Sequence, residues 1–366
     1  MKENTNWMKV IKINLLLMLL IVTAVELIFG GWIFHSNKSY CGYLLCSANV
    51  KYQALGYQTN YTKDSFGLRN RRGLDEDIDI LTVGGSTTDQ RWLDDKETWT
   101  YLLEKKFKEN NKDISIVSAG IDGQSTFGHI WNFKEWFPEI PNFHPRYVLF
   151  YIGINDIPPQ DNASSFDNVD NIYNWRYLVK MNSIFYRLYY WNKYQTKNLL
   201  ADKAKLNHGS NSIYGEYIEK FDIAKNDWKI YKEKVVDNKL IKNLDELVRL
   251  TKKLGSEPIF VTQKTARWIT KDGLIIGSKA GKSGDAKYSY KGGTYYFNNS
   301  DWGYAEKIVS DSIINYCNSN NIYCIDGFNK IEIHDDDTYD LVHMNFQGSS
   351  EIAKKLYLDL KNYIQP

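Results

Sequence analysis

Five short apolar runs, each followed by a longer amphipathic stretch, set the strongest limit on how this chain can fold. Residues 78–83, 114–117, 147–152, 258–262 and 322–325 have the length and apolar content of buried strands. Residues 97–109, 127–137, 230–254, 303–319 and 347–364 have the length and periodicity of helices. Strands alternating with helices imply right-handed βαβ units and a parallel sheet covered on both faces. The expected class is therefore α/β.

One segment lies outside that rhythm. Residues 13–34 hold 17 apolar side chains in 22 positions, and a helix of that length spans roughly 33 Å, enough for a hydrocarbon core of about 30 Å. A mean hydropathy of −0.48 over the whole chain averages this segment away. Lys2, Lys9 and Lys12 precede it and only Lys38 and Lys51 follow closely, which keeps the amino end cytoplasmic and sends the remainder to the periplasm or cell exterior. Glu26 is a cost inside the segment, tolerable because it sits in the outer part. A cleaved signal peptide is the competing reading. The run is long for one, and Phe29-Gly30-Gly31-Trp32 offers no small-residue cleavage site. The expected organisation is a cytoplasmic end (1–12), an anchor (13–34), a polar Tyr-rich connector (35–75) and an α/β domain (76–366) with an insertion at 158–229.

Cys41 and Cys46 lie close together, as do Cys317 and Cys324. Two local disulfides fit an oxidising compartment, although four cysteines allow three pairings and unpaired thiols stay open. Neither pair has C-x-x-C spacing, which disfavours zinc. Forty-six basic against 44 acidic residues leave a charge of +2, and the chain is 43% apolar. Disordered chains need fewer large apolar residues, and nucleic-acid binders usually carry a basic excess.

In open parallel sheets ligands sit beyond the carboxyl ends of the strands, so the reactive side chains at those ends matter most. The first strand runs into Gly84-Gly85-Ser86, the second into Ser118-Ala119-Gly120, and the third into Gly153-Ile154-Asn155-Asp156. Asp340-Leu341-Val342-His343 precedes the last helix. A serine needs a base to become nucleophilic, and histidine ordinarily titrates near 6.5. Asp340, three residues before His343, can fix the imidazole tautomer. The Ser86 and Gly120 N–H groups and the Asn155 amide can serve as oxyanion donors. Gln263 and Arg267, just past the fourth strand, are candidate substrate contacts.

Gly-x-Ser, Gly-x-x-Gly, Gly-x-Asn-Asp and Asp-x-x-His, in this order, resemble the SGNH (GDSL-like) hydrolases across roughly residues 75–365. The resemblance implies a three-layer flavodoxin-like fold with a central parallel sheet. It makes Ser86 the nucleophile, Gly120 and Asn155 oxyanion donors, and Asp340 and His343 the rest of the triad. Two positions depart from the pattern: Gly85 stands for the usual aspartate, and Ser118 for an asparagine. These departures point to the divergent membrane-tethered branch, whose members often act on acyl groups of cell-surface polysaccharides. The implied activity is a serine esterase acting on O-acyl, chiefly O-acetyl, esters of an envelope glycan, with no metal or organic cofactor. An O-acyltransferase using the same triad and a non-catalytic glycan-binding or assembly factor are the alternatives. No feature specifies a protein partner.

Other features have plainer readings. His129 and His144 are expected to be structural, Arg69, Arg71 and Arg72 a solvated cluster, and 264–302 an irregular Gly-, Lys- and Ser-rich stretch. His334 beside Asp335–Asp337 lacks metal-binding spacing. The chain is 15% aromatic, and residues 166–194 carry ten aromatics in 29 positions, interleaved with Arg176, Lys180, Arg187 and Lys193. Aromatic stripes at helical spacing are ordinarily core; the alternative is a wall on which sugar rings stack.

Overall fold

The structure, a computed structural model, describes residues 7–32, 46–71, 73, 77–158, 179, 182–186, 188–189, 192, 227–278, 286–290 and 293–365. Most of the insertion lies outside the described residues, and with it most of the core-or-wall question about 166–194. Contact clustering divides the chain into two compact units, one of residues 1–44 and 170–200, the other of residues 45–169 and 201–366.

The first unit contains α1 (Trp7–Phe29), long and apolar enough to cross a membrane. The described residues of 179–192 accompany it.

The second unit holds the five-stranded sheet. In chain order its parts are β1 (Asn49–Ala54), β2 (Tyr57–Thr62), β3 (Ile80–Gly84), the turn-length α2 (Ser86–Asp89), α3 (Trp99–Glu109), β4 (Ile116–Ser118), α4 (Thr126–Trp131) and β5 (Tyr147–Ile152). Then come α5 (Ile241–Lys253), β6 (Glu257–Thr262), β7 (Trp268–Lys271), β8 (Leu274–Gly277), β9 (Ala286–Tyr290), β10 (Gly293–Phe297), α6 (Asn299–Asn320), β11 (Tyr323–Ile325) and α7 (Phe346–Leu360). The sheet runs β11-β6-β5-β3-β4, parallel throughout. Counted among its own strands this is the order 2-1-3-4-5, the flavodoxin-like arrangement. All five strands stand where the apolar runs predict them, within two residues.

The three central strands are buried along nearly their whole length, as expected of a parallel sheet with helices on both faces. Side-chain alternation sorts them. Ile80, Leu149, Tyr151, Ile259, Val261 and Ile325 face a core with Trp99, Leu103 and Phe107 of α3 and Ile352, Leu356 and Leu360 of α7. Phe150 and Phe260 point the other way and stack with ring centroids 4.9 Å apart, Phe150 also lying 6.0 Å from Phe133. The edge strands β4 and β11 are three residues each, which limits the unpaired backbone they present.

Two stretches carry more order than their composition suggests. Within residues 35–75, β1 and β2 form an antiparallel hairpin closed by Leu55 and Gly56, both at positive φ, the combination a two-residue type I′ turn demands. Within 264–302, β7 and β8 form a hairpin over Asp272-Gly273, again with both φ positive, and β9 pairs with β10. α6 begins four residues ahead of its predicted start because Asn298 and Asp301 form a capping box. The predicted helix at 230–254 is continuous but passes through a π-helical stretch, Lys232–Leu240, before α5. Cys317 at the end of α6 is bonded to Cys324 on β11. Cys46 is also in a disulfide; Cys41 lies outside the described residues.

Candidate active site

The site grows from the carboxyl edge of the sheet. β3 ends at Gly84, Gly85 caps α2, and Ser86 is the first residue of that helical turn. First-turn N–H groups have no intrahelical acceptor, so the Ser86 amide is available to an incoming oxygen. The turn is pinned from beneath. The Trp99 indole donates to the Thr87 carbonyl at 3.0 Å, and the Gln263 amide donates to Thr87 Oγ1 at 2.8 Å and to the Tyr151 carbonyl at 3.1 Å. Gln263 is 5% exposed. It is therefore occupied with supporting the serine turn.

The histidine arrives on a closed loop. Thr338 bridges Met344, the Tyr339 N–H donates to the His343 carbonyl at 3.1 Å, and the Ala266 N–H holds the Leu341 carbonyl at 3.0 Å. Asp340 Oδ1 accepts from the Val342 and His343 N–H groups, both at 2.7 Å, the local side-chain-to-backbone pattern favoured by aspartate in turns. Asp340 Oδ2 then lies 2.7 Å from His343 Nδ1, and His343 Nε2 lies 2.8 Å from Ser86 Oγ. Residues 257 positions apart in the chain thus share one hydrogen-bonded line. Burial works to raise the Asp340 pKa, but the bonds from His343 and Val342 and the His343 charge hold it below its ordinary value. The carboxylate stays ionised. The Asp340 and His343 side chains are 15% and 18% exposed, reachable from solvent yet largely walled. Tyr339 stacks on the imidazole, with rings 7° from coplanar and centroids 5.6 Å apart.

The other two blocks close on Ser86 because two glycines let them. A Cβ at Gly120 would collide with the Asp89 amide, so the second block packs directly on α2. Its N–H makes a long bond of 3.3 Å to Ser118 Oγ, the residue that replaces the family asparagine. A Cβ at Gly85 would collide with the Asn155 amide nitrogen. The absence of a side chain at Gly85 is what lets Asn155 Nδ2 lie against the serine turn. That nitrogen donates one hydrogen to the Gln124 carbonyl at 2.8 Å, and an amide carries two. Asp156, beside it, is 3% exposed and accepts from the Thr126 hydroxyl at 2.6 Å. It anchors the third block to α4.

No protein-family model matches this chain, and no curated protein matches it. Among solved structures it is similar to the psychrotrophic esterase EstA from Pseudoalteromonas sp., with 14% identity over 78% of this chain and 97% of that one and a TM-score of 0.40. A member of the lipolytic protein G-D-S-L family from Veillonella parvula is similar at 14% identity over 78% and 98%, TM-score 0.41. The acetyl xylan esterase AlAXEase is similar at 14% identity over 77% and 98%, TM-score 0.40. The flavodoxin-like sheet order, with the four motif blocks at its carboxyl edge, is read from this chain itself.

Arg267 is half-buried. Its guanidinium donates to Asn299 Oδ1 at 3.3 Å and lies 4.8 Å from the centre of the Trp302 ring. Burial lowers its pKa, while the nearby Glu306 and Asp340 charges oppose that shift. It thus belongs to the surroundings of the triad loop. His129 is buried, lies 3.1 Å from Gln124 Oε1 through Nδ1, and is pushed down to about 3 by burial; it is neutral and structural. Among the described residues no group of three potential metal ligands is found.

The largest surprise lies under α2. Arg69, expected to be solvated, is 1% exposed, and its guanidinium donates to the carbonyls of Asp89, Gln90 and Leu93 and to Asp95 Oδ1. Lys63 pairs with Asp89 at 3.1 Å and donates to the Gly120 carbonyl at 3.2 Å. Tyr61 donates to Asp89 Oδ1 at 2.8 Å. Burial alone would raise the Asp89 pKa, but the Lys63, Arg91 and Arg69 charges hold it below its ordinary value. Burial and then Asp89 raise Tyr61 well above its own. Lys63 therefore grips the peptide whose neighbouring N–H is the candidate oxyanion donor.

Proposed function

We propose that this chain is a serine esterase that removes O-acyl groups, chiefly acetyl, from a cell-envelope glycan while held at the membrane by α1. The observation that carries the reading is the continuous Asp340–His343–Ser86 hydrogen-bonded line. Ser86 Oγ attacks the ester carbonyl carbon as His343 Nε2 takes its proton. The carbonyl oxygen becomes an oxyanion among the Ser86 N–H, the Gly120 N–H and the second hydrogen of Asn155 Nδ2. A charge-assisted bond there outweighs the long Gly120 contact to Ser118. Collapse breaks the ester bond, and His343 returns the proton to the departing sugar oxygen. Water, deprotonated by His343, then attacks the acyl-Ser86 carbonyl; the acyl–Oγ bond breaks, His343 returns the proton to Ser86 Oγ, and the acid leaves. The carboxylate of Asp340 keeps Nδ1 protonated throughout. The envelope-glycan assignment and the outward orientation rest on the resemblance to the membrane-tethered branch and on the lysines preceding α1.

The test is fluorophosphonate labelling of the full chain together with acetate release from acetylated envelope polysaccharide. Both are expected in the wild-type protein and absent in Ser86→Ala. Labelling that persists in Ser86→Ala, or polysaccharide binding without any labelling of the wild type, would overturn the assignment.

A further inference from the structure

We propose that residues 182–186, 188 and 189 form a second, interfacial contact with the lipid bilayer, docked on the end of α1 through Glu26. The proposal rests on α1 being a membrane span. Glu26 lies three residues before the end of that helix, about 4.5 Å along its axis, where an unpartnered carboxylate would be costly. It is not unpartnered. Its two oxygens accept from the Ser183 hydroxyl at 2.5 Å, the Ile184 N–H at 3.1 Å and the Trp32 indole at 2.9 Å. The Gly31 N–H adds a bond of 2.8 Å to the Asn182 carbonyl.

Ser183 is the pivot. It is 6% exposed, and its Oγ also accepts from the Tyr186 N–H at 3.2 Å, the bond of a helix N-cap. The helical residues that follow thus begin at the carboxylate, with their N-terminal end toward its negative charge, the favourable sense of the helix dipole. The chain has used an acid in the span to seat the start of a second helical segment.

That seating fixes depth. Ser183 and Ile184 must lie level with Glu26, near the boundary between hydrocarbon and headgroups, a zone several Å thick on each side. The next helical residues then present Phe185, Leu188 and Tyr189, which are 44%, 51% and 60% exposed. Positions i, i+3 and i+4 share one helix face, so these three side chains form a continuous apolar and aromatic strip. Phenylalanine, leucine and tyrosine at that level match the side chains that favour membrane interfaces. A bilayer is the occupant that a strip tied to the end of a membrane span would meet. This gives the aromatic insertion a role that neither core packing nor a sugar-stacking wall supplies for these three positions.

The experiment uses the full chain in nanodiscs of mixed phosphatidylcholine and phosphatidylglycerol. A benzophenone amino acid is placed in turn at 185, 188 and 189, at Leu20 within the span, and at the exposed Leu274 and Leu358. After illumination, lipid adducts are read by mass spectrometry. Adduct yields at 185, 188 and 189 are expected within about threefold of Leu20, with Leu274 and Leu358 at background. Glu26→Leu should lower the yields at 188 and 189 severalfold and leave Leu20 unchanged. Background yields at all three interfacial positions with Leu20 labelled would overturn the docking alone. Background at Leu20 as well would overturn the span, and the docking with it. Unchanged yields in Glu26→Leu would refute the tether.

Discussion

The Ser86 turn has two charged sides built to opposite specifications. Above it, the Asp340–His343 pair remains in reach of solvent and is joined by one line of hydrogen bonds. Below it, Lys63, Tyr61, Arg69 and Asp89 are sealed, with Asp89 facing several cationic groups at once. In the proposed reaction a proton moves above; below, none should. A nucleophile needs a mobile proton on one side and immobile charges on the other, because a scaffold that titrated along with the reaction would shift the oxyanion donors with it.

Substitutions can break this contrast in order of size. Ser86→Ala and His343→Ala should each lower kcat for an activated acetate ester by on the order of 10⁴-fold or more, with unfolding midpoints unchanged. Asp340→Asn keeps the loop but loses control of the tautomer, and should cost about 10³- to 10⁴-fold in kcat. Asn155→Ala removes one oxyanion donor, about 2.7–4 kcal/mol of barrier stabilisation, or roughly 10²- to 10³-fold in kcat with KM little changed. On the sealed side the currency changes. Lys63→Met leaves the Asp89 carboxylate short of a partner and should destabilise the fold by about 3 kcal/mol in denaturant titrations, with kcat within about tenfold. A stable Lys63→Met protein as inactive as Asn155→Ala would place Lys63 in the chemistry and dissolve the contrast.

The last contrast concerns pH. His129, ordinarily near 6.5, is pushed down to about 3 by burial in the folded chain. The unfolded chain therefore binds a proton first. Stability due to this group is complete above pH 6.5, falls by up to about 1.4 kcal/mol per unit as the pH drops toward 3, and levels off below. His129→Gln should flatten that part of the stability–pH curve. An unchanged slope would mean that other groups carry it.

Much of this was legible in the sequence, for a physical reason. Buried parallel strands must be apolar, so 147–152 announces itself, and Ser86, Asn155 and His343 follow strand ends or precede a helix by rule. Hairpin β1–β2 is obscured because its turn uses Leu55 in a left-handed conformation where Asn would have advertised it. Asp272-Gly273 is a readable turn signal, outweighed by the Gly, Lys and Ser around it. Arg69 reads as solvent-exposed because three of its acceptors are backbone carbonyls, which no residue type reveals. Gln263 sits at a strand end, as a substrate contact would. Which way it points depends on Thr87 and Tyr151, both far away in the chain.

The close approach of Gly85 and the Asn155 side chain limits what position 85 can accept. An aspartate at 85, the usual residue of the hydrolases that the motif blocks resemble, would look in consensus-guided engineering like a repair. In this background the new side chain would evict the Asn155 amide. The two positions are therefore coupled: a side chain at 85 needs the Asn155 side chain to move away, and it would press on the Gln124 carbonyl as well. A change at 85 is thus read out at 155, beyond the end of the neighbouring strand from where it is made.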